Sequence, residues 1–195
     1  LSILPITRGS YIISSFKAYE SFDESNKEIT RLTFPDYIES IDFTNITSEA
    51  IAINCAFVSG ILSDFLEVEE LFPTVSGRMS SDEFSFFINN LDKKGDINIR
   101  VVNSQIEIDG GYEGENSLAL IEAKNSISDD FLIRQLYYPF RLWEGKIEKT
   151  VRPIFMVYSN GIFTLNEYVF QEPANYNSLT LIKQKNYTLE EERIC

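Results

Sequence analysis

Residues 105–124, QIEIDGGYEGENSLALIEAK, contain two apolar runs separated by the polar connection 114–117. Such runs on either side of a short polar segment are typical of two strands joined by a turn. A turn centred in the middle of the connection places Asp109 directly opposite Glu122. Opposed side chains in an antiparallel pair have Cβ atoms about 4.5–5.5 Å apart, where like charges repel. The sequence therefore predicts a hairpin that brings two carboxylates together, and a divalent cation is the usual reason for such a pair.

Strand alternation also places Lys124 on the same face as Glu122, two residues further along the chain. Mg²⁺ prefers oxygen ligands and keeps several waters, so Asp109 and Glu122, helped by the Ala123 carbonyl, would suffice to bind it. The metal would polarise a phosphodiester and lower the pKa of a bound water. We expect Lys124 to orient or activate that water and to hold the phosphate.

The absence of histidine limits the chemistry available to the 195 residues. Ser-His-Asp hydrolysis, Cys-His chemistry, zinc peptidases with an HExxH motif and histidine-based nucleases all need an imidazole. Any catalysis must therefore use carboxylates, lysine, tyrosine or a bound metal. The two cysteines, Cys55 and Cys195, form no zinc-ligand spacing, which favours a reducing cytoplasm.

The charge of the chain is unevenly distributed. The net charge is −13, which argues at first sight against a nucleic-acid partner. Residues 1–123 hold 8 basic and 21 acidic side chains, whereas residues 124–195 hold 9 of each. The second part contains a local basic surplus formed by Lys124, Arg134, Arg141, Lys146, Lys149 and Arg152.

Other segments predict an α/β fold, a mixed sheet flanked by helices. Strands are predicted at residues 2–8, 11–16, 74–80, 84–88, 97–102, 151–158 and 162–170, the last two joined by the turn Asn160-Gly161. One capped helix is predicted from Thr47 or Ser48 to about Leu66, and a second from Ser128 to about Trp143. We expect residues 1–70 to form an N-terminal α+β lobe that packs on a core of residues 71–195. The chain begins at Leu1 rather than Met and stops directly after charged residues, so we interpret it as a piece of a longer protein. No segment predicts a membrane span.

A wider resemblance covers about residues 75–170, roughly half of the chain. The order of these features resembles the core of the PD-(D/E)xK nucleases: Asp109 comes first, Glu122-Ala123-Lys124 ends an apolar strand, and a helix follows. The segments QIEIDGGYEG, LIEAKN, DFLIRQLYYPFRLW and VRPIFMVYSNGIF together are similar to a group of bacterial type II restriction endonucleases. Ile108 stands where the family name has proline before the aspartate.

The resemblance implies a restriction-endonuclease-like fold and Mg²⁺-dependent hydrolysis of double-stranded DNA in a bacterial cytoplasm. It carries over Asp109 and Glu122 as metal ligands and Lys124 as the catalytic lysine. Gln135 and Tyr138 resemble the Gln-Tyr helix motif of related exonucleases, although the spacing between the two residues is one residue shorter here. This resemblance makes Gln135 a further catalytic candidate. An upstream acid, Glu49 or Glu67, could complete the site.

Several alternatives stay open at the level of sequence. The chain could be a non-catalytic DNA- or protein-binding module that keeps the nuclease fold, or a repair nuclease that selects DNA structure rather than sequence. Cutting both strands of a duplex commonly calls for two active sites, so a homodimer is one of the open alternatives. Arg78, Arg134, Arg141, Lys146 and Lys149 are either surface cations with ordinary salt bridges or phosphate contacts. We interpret the aromatic residues of the second helix mainly as packing residues of the core, and alternatively as groups on which DNA bases stack.

Overall fold

The computed structural model describes residues 1–22, 27–92 and 95–191. The strands are β1 (Ser2–Thr7), β2 (Ser10–Ser14), β3 (Tyr19–Ser21), β4 (Ile29–Phe34), β5 (Phe72–Ser80), β6 (Phe84–Ile88), β7 (Ile97–Val101), β8 (Gln105–Glu113), β9 (Ser117–Lys124), β10 (Asp130–Leu132), β11 (Thr150–Ser159), β12 (Ile162–Phe170) and β13 (Leu179–Glu191). The helices are α1 (Glu49–Val58), α2 (Ile61–Leu66) and α3 (Arg134–Glu144). The predicted α/β class is confirmed.

A seven-stranded mixed sheet forms the centre, in the order β4-β13-β12-β11-β9-β8-β5. The pairs β9–β11 and β4–β13 are parallel, and the other neighbours are antiparallel. Helix α3 lies between β9 and β11 in the chain, as the crossover that a parallel pair requires. Its first turn therefore begins near the end of β9, where Glu122 and Lys124 are.

The predicted hairpin has the predicted register. Gly110 pairs with Ile121 and Glu113 with Leu118. The backbone pairing ends at Gly110 and Ile121, one position before Asp109 and Glu122. It ends there because the Asp109 carboxylate, rather than the backbone of β8, accepts the Ala123 N–H.

Both faces of the sheet are buried, so β9 is apolar at successive positions rather than alternately. Leu118 and Leu120 of β9 pack against α3, β6 and β7 on one face. Ala119, Ile121 and Ala123 pack against α1 and α2 on the other face. Strand β9 is thus held from both sides.

The prediction that Ser128 and Asp130 open the second helix is wrong. Residues 130–132 instead form β10, which pairs with β3, and α3 begins at Arg134. Phe131 explains the difference, because its ring packs 4.4 Å from that of Phe155 in the core and holds the segment extended. Pro139 lies inside α3 without ending it.

The first predicted helix divides into α1 and α2. Ser48 caps α1 through its hydroxyl, which accepts the Ile51 N–H at 3.2 Å, as the sequence predicts. Gly60, with φ of 81°, separates the two helices. This glycine adopts the left-handed conformation at little steric cost, so the chain can bend here and fold both helices over the sheet.

The first 70 residues contribute to the central sheet as well as to its coverage, because β4 pairs with β13 at one edge. The strands predicted at residues 2–8 and 11–16 are confirmed as β1 and β2, which pair as a hairpin, and Leu4 and Ile6 are buried in the same core as α3. The turn Asn160-Gly161 is confirmed by two positive φ angles, 51° and 76°. Within the described ranges, no helix combines the length and apolarity needed to cross a bilayer.

Candidate active site

A cavity of about 310 Å³ opens where β8 and β9 separate. Strand β8 supplies Asp109, β9 supplies Glu122 and Lys124, α3 supplies Gln135, and α1 supplies Glu49. The three residues predicted from the hairpin and the predicted Gln135 thus line one cavity.

Asp109 is fixed by the backbone of the neighbouring strand. Its Oδ2 accepts the Ala123 N–H at 2.9 Å. Burial raises the pKa of Asp109, although the Ala123 N–H and the charge of Lys124 oppose that shift. Ala123 is fully buried and does not line the cavity, so the role of its carbonyl as a Mg²⁺ ligand stays a prediction.

Glu122 is the most enclosed carboxylate of the cavity, with a side chain only 11% exposed. Its Oε1 accepts hydrogen bonds from Lys124 Nζ at 3.1 Å and from Gln135 Nε2. Burial, and then the negative charge of Asp109, raise the pKa of Glu122 to about 7. The cavity therefore disfavours two carboxylate charges when no cation lies between them.

Lys124 lies between two carboxylates. Its Nζ is 3.1 Å from Glu122 Oε1 and 3.6 Å from Glu49 Oε1. Burial alone would lower the pKa of Lys124, but Glu122, Glu49 and Asp109 together raise it. The amine is accordingly a fixed positive charge at neutral pH.

Glu49 was one of two upstream acids considered from the sequence, and the structure distinguishes them. Glu49 stands at the start of α1 and reaches the cavity. Glu67 lies at the end of α2, where it pairs with Lys183 at 3.2 Å, and does not line the cavity.

Two glycines of β8 allow α1 and β5 to approach this strand closely. A Cβ on Gly110 would lie 3.2 Å from Ile53 Cγ2 of α1, and a Cβ on Gly111 only 2.8 Å from the Val75 carbonyl oxygen of β5. The glycines therefore permit close backbone approach beside the site.

Most of the other residues singled out from sequence have structural partners. Arg78 pairs with Glu107, Lys146 with Asp82, and Lys149 with Glu113. Arg141 donates to the carbonyls of Ser85 and Pro173. Tyr137, Tyr138 and Phe140 are buried, which confirms their interpretation as core residues. Arg134 differs from the other cations, because it lines the cavity.

The donor set of the cavity fits Mg²⁺. Its lining holds four carboxylates (Glu49, Glu107, Asp109, Glu122) and two cations (Lys124, Arg134), so the fully ionised set carries two net negative charges. Mg²⁺ binds through one or two carboxylates and retains waters for its other positions. No cluster of three or more Asp, Glu, His or Cys side chains suited to a metal ion occurs in residues 1–22, 27–92 and 95–191.

A family model described as Domain of unknown function (DUF6997) matches residues 14–188, so the chain belongs to this family. Searches of the curated proteins and of the solved structures found no match.

Proposed function

We propose that this chain is a metal-dependent endodeoxyribonuclease that hydrolyses phosphodiester bonds of double-stranded DNA, of the type II restriction endonuclease kind. The observation that carries the proposal is the convergence of Asp109, Glu122 and Lys124 on one cavity, with the Glu122 side chain only 11% exposed and its pKa raised. Carboxylates with raised pKa values that lie close together in a cleft are characteristic of catalytic sites.

Asp109 and Glu122 would hold Mg²⁺, which when bound polarises the phosphodiester and lowers the pKa of a water. Lys124 is already held beside Glu122 and can orient the attacking water or neutralise the phosphate. Gln135 fixes the Glu122 carboxylate, and Glu49 fixes the ammonium of Lys124. Glu49 and Gln135 thus act in this scheme as positioning residues.

A restriction-endonuclease-like fold is part of the same proposal. The β8–β9 hairpin, the crossover helix α3 and the parallel strand β11 are compatible with the architecture that the resemblance implies. Cleavage of both strands would call for a homodimer, with one cavity for each strand.

A second candidate function is a non-catalytic binding module. The net charge of −13 favours a protein-binding form of this module over a DNA-binding form, because a duplex repels an acidic surface outside its contact area. A repair nuclease that recognises DNA structure is a third candidate with the same catalytic residues.

Plasmid cleavage separates these candidates. The purified protein, Glu122→Ala and Lys124→Ala are incubated with supercoiled plasmid and Mg²⁺, beside Glu115→Ala, which removes an exposed carboxylate from the turn of the same hairpin. We expect discrete fragments from the unsubstituted protein and from Glu115→Ala, and none from the other two variants. Nicking or an unresolved ladder would support a structure-selective nuclease, and intact plasmid in every reaction would contradict hydrolysis.

A further inference from the structure

Arg134 is unusual among the cations of this acidic chain. Asp and Glu outnumber Lys and Arg by 30 to 17, so carboxylate partners are abundant. Most cations in the described part of the chain lie within 4.0 Å of a carboxylate oxygen, as Arg100 does with Glu83. Arg134, Arg8 and Lys27 have no such neighbour among the described residues, and of these three Arg134 lines the cavity.

Neutral groups hold the guanidinium of Arg134 in place. Nη2 donates to Ser104 Oγ at 2.9 Å and to the Gln105 carbonyl at 3.4 Å. The guanidinium carbon lies 4.0 Å from the centre of the Tyr138 ring. Nε is buried and has no hydrogen-bond partner among the described residues.

The two side chains that contact the Arg134 guanidinium, Ser104 and Tyr138, are themselves held by hydrogen bonds. Ser104 is only 1% exposed, and its hydroxyl donates to the Ile6 carbonyl at 3.1 Å. The Tyr138 hydroxyl donates to the same carbonyl, also at 3.1 Å. Arg134 is therefore oriented before any ligand arrives, which reduces the entropy lost when one binds.

A half-buried guanidinium without a carboxylate partner retains its full charge for a ligand. Burying such a charge unpaired is costly, and a bound anion would compensate that cost. The planar guanidinium matches phosphate oxygens in a two-pronged contact.

We propose that Arg134 binds a backbone phosphate of the DNA within the cavity, beside the phosphate held near Lys124. This inference rests on the proposed nuclease function and adds a DNA-binding residue to it. Arg134 would contribute to affinity for the duplex independently of the metal ligands.

Salt-dependent DNA binding tests the assignment without relying on cleavage. Affinity for a labelled duplex of random sequence is measured over a range of KCl, with Ca²⁺ replacing Mg²⁺. For Arg134→Gln we expect affinity about ten- to a hundredfold lower. The slope of log affinity against log salt should decrease in magnitude by about 1, as for one lost phosphate contact. Arg100→Gln, which removes an exposed arginine paired with Glu83, should bind as the unsubstituted protein does.

Three outcomes have distinct meanings. A reduced slope in Arg134→Gln alone supports the assignment. An unchanged slope, with normal binding by the unsubstituted protein, overturns the assignment and leaves the proposed function standing. Absence of binding by the unsubstituted protein overturns both.

A second variant keeps the test valid if Arg134→Gln does not fold. Arg134→Lys retains the charge but loses the two-pronged geometry, so we expect a normal salt slope and plasmid cleavage at least about tenfold slower. Cleavage by Arg134→Lys at the unsubstituted rate would contradict a phosphate contact by the guanidinium.

Discussion

Replacing Glu122 with Gln should stabilise the metal-free protein while it abolishes hydrolysis. Glutamine keeps the size of the side chain and an oxygen that can accept from Lys124 and Gln135. It removes a charge that burial and Asp109 disfavour. The site would thus be a place where stability and function oppose each other.

The magnitude follows from the pKa of Glu122, which is about 7 in the folded protein against an ordinary value of 4.5. Each pKa unit corresponds to about 1.4 kcal/mol, so ionised Glu122 costs on the order of 3 kcal/mol of folding stability. For a chain of this size, 1 kcal/mol corresponds to about 2–4 °C in Tm. Glu122→Gln should therefore raise the Tm by roughly 6–12 °C at a pH above 7.

The sign of the pH dependence is also determined. The folded protein holds the Glu122 proton more tightly than the unfolded chain, so its free energy of unfolding falls as the pH rises from about 4.5 to about 7. Below that window the carboxyl is protonated in both states. The difference between Glu122→Gln and the unsubstituted protein should therefore disappear at low pH and reach a plateau above pH 7.

Thermal unfolding in EDTA over this pH range measures the effect, with Glu115→Gln as the control for loss of an exposed charge. Saturating Mg²⁺ should then raise the Tm of the unsubstituted protein but leave that of Glu122→Gln unchanged. Equal Tm values for the two proteins at pH 8 in EDTA, or a difference independent of pH, would refute the account of Glu122 as a buried, repelled carboxylate.

Three further predictions concern Gly111, Gln135 and Tyr187. Gly111→Ala should lower the stability by about 1–3 kcal/mol, because the new Cβ would lie 2.8 Å from the Val75 carbonyl oxygen. Gly145→Ala, whose Cβ would lie 3.6 Å from the nearest heavy atom, should leave stability nearly unchanged, and equal Tm values for the two variants would argue against close packing of β5 on β8. Gln135→Leu should weaken Mg²⁺ affinity or cleavage about ten- to a hundredfold, because Glu122 loses its hydrogen bond, and an unchanged Mg²⁺ dependence of cleavage would exclude that role. Tyr187→Phe should destabilise the protein at neutral pH, because the Tyr187 hydroxyl lowers the pKa of Asp64. The pKa of Asp64 in the folded protein lies below its ordinary value of 3.8, so the loss of stability should disappear in unfolding experiments below that folded pKa. A loss of stability that persists at such low pH would rule out the contact with Asp64 as its cause.

The hairpin and its three polar residues could be predicted from sequence because the information is local. Strand alternation and a four-residue connection fix which residues of β8 and β9 face each other. The separation of the strands at Asp109 could not be predicted in this way. It depends on the Asp109 side chain accepting a hydrogen bond from the Ala123 backbone N–H, which no periodic pattern reveals.

Strands β4 and β13 were missed because their burial depends on partners far away in the chain. Strand β13, LTLIKQKNYTLEE, has many polar residues, and it is stabilised by pairing with β12 and β4. The start of α3 was misplaced for a similar reason, since the core position of Phe131 outweighs the capping preference of the preceding acids.

The proposed role of Arg134 likewise depends on tertiary structure. In the sequence it is one cation among several in a basic segment. Only the folded chain shows that Arg141, Lys146 and Lys149 have carboxylate neighbours, and that Arg134 lines the cavity instead.

The central claim is that Asp109 and Glu122 share one divalent cation beside Lys124. Crystals soaked in Mn²⁺, which prefers the same oxygen ligands as Mg²⁺, would test it through anomalous scattering. We predict one strong anomalous peak between the two carboxylates, about 2 Å from an oxygen of each, and its loss in Glu122→Gln. A peak elsewhere in the molecule, no peak, or a peak that survives in Glu122→Gln would contradict the claim.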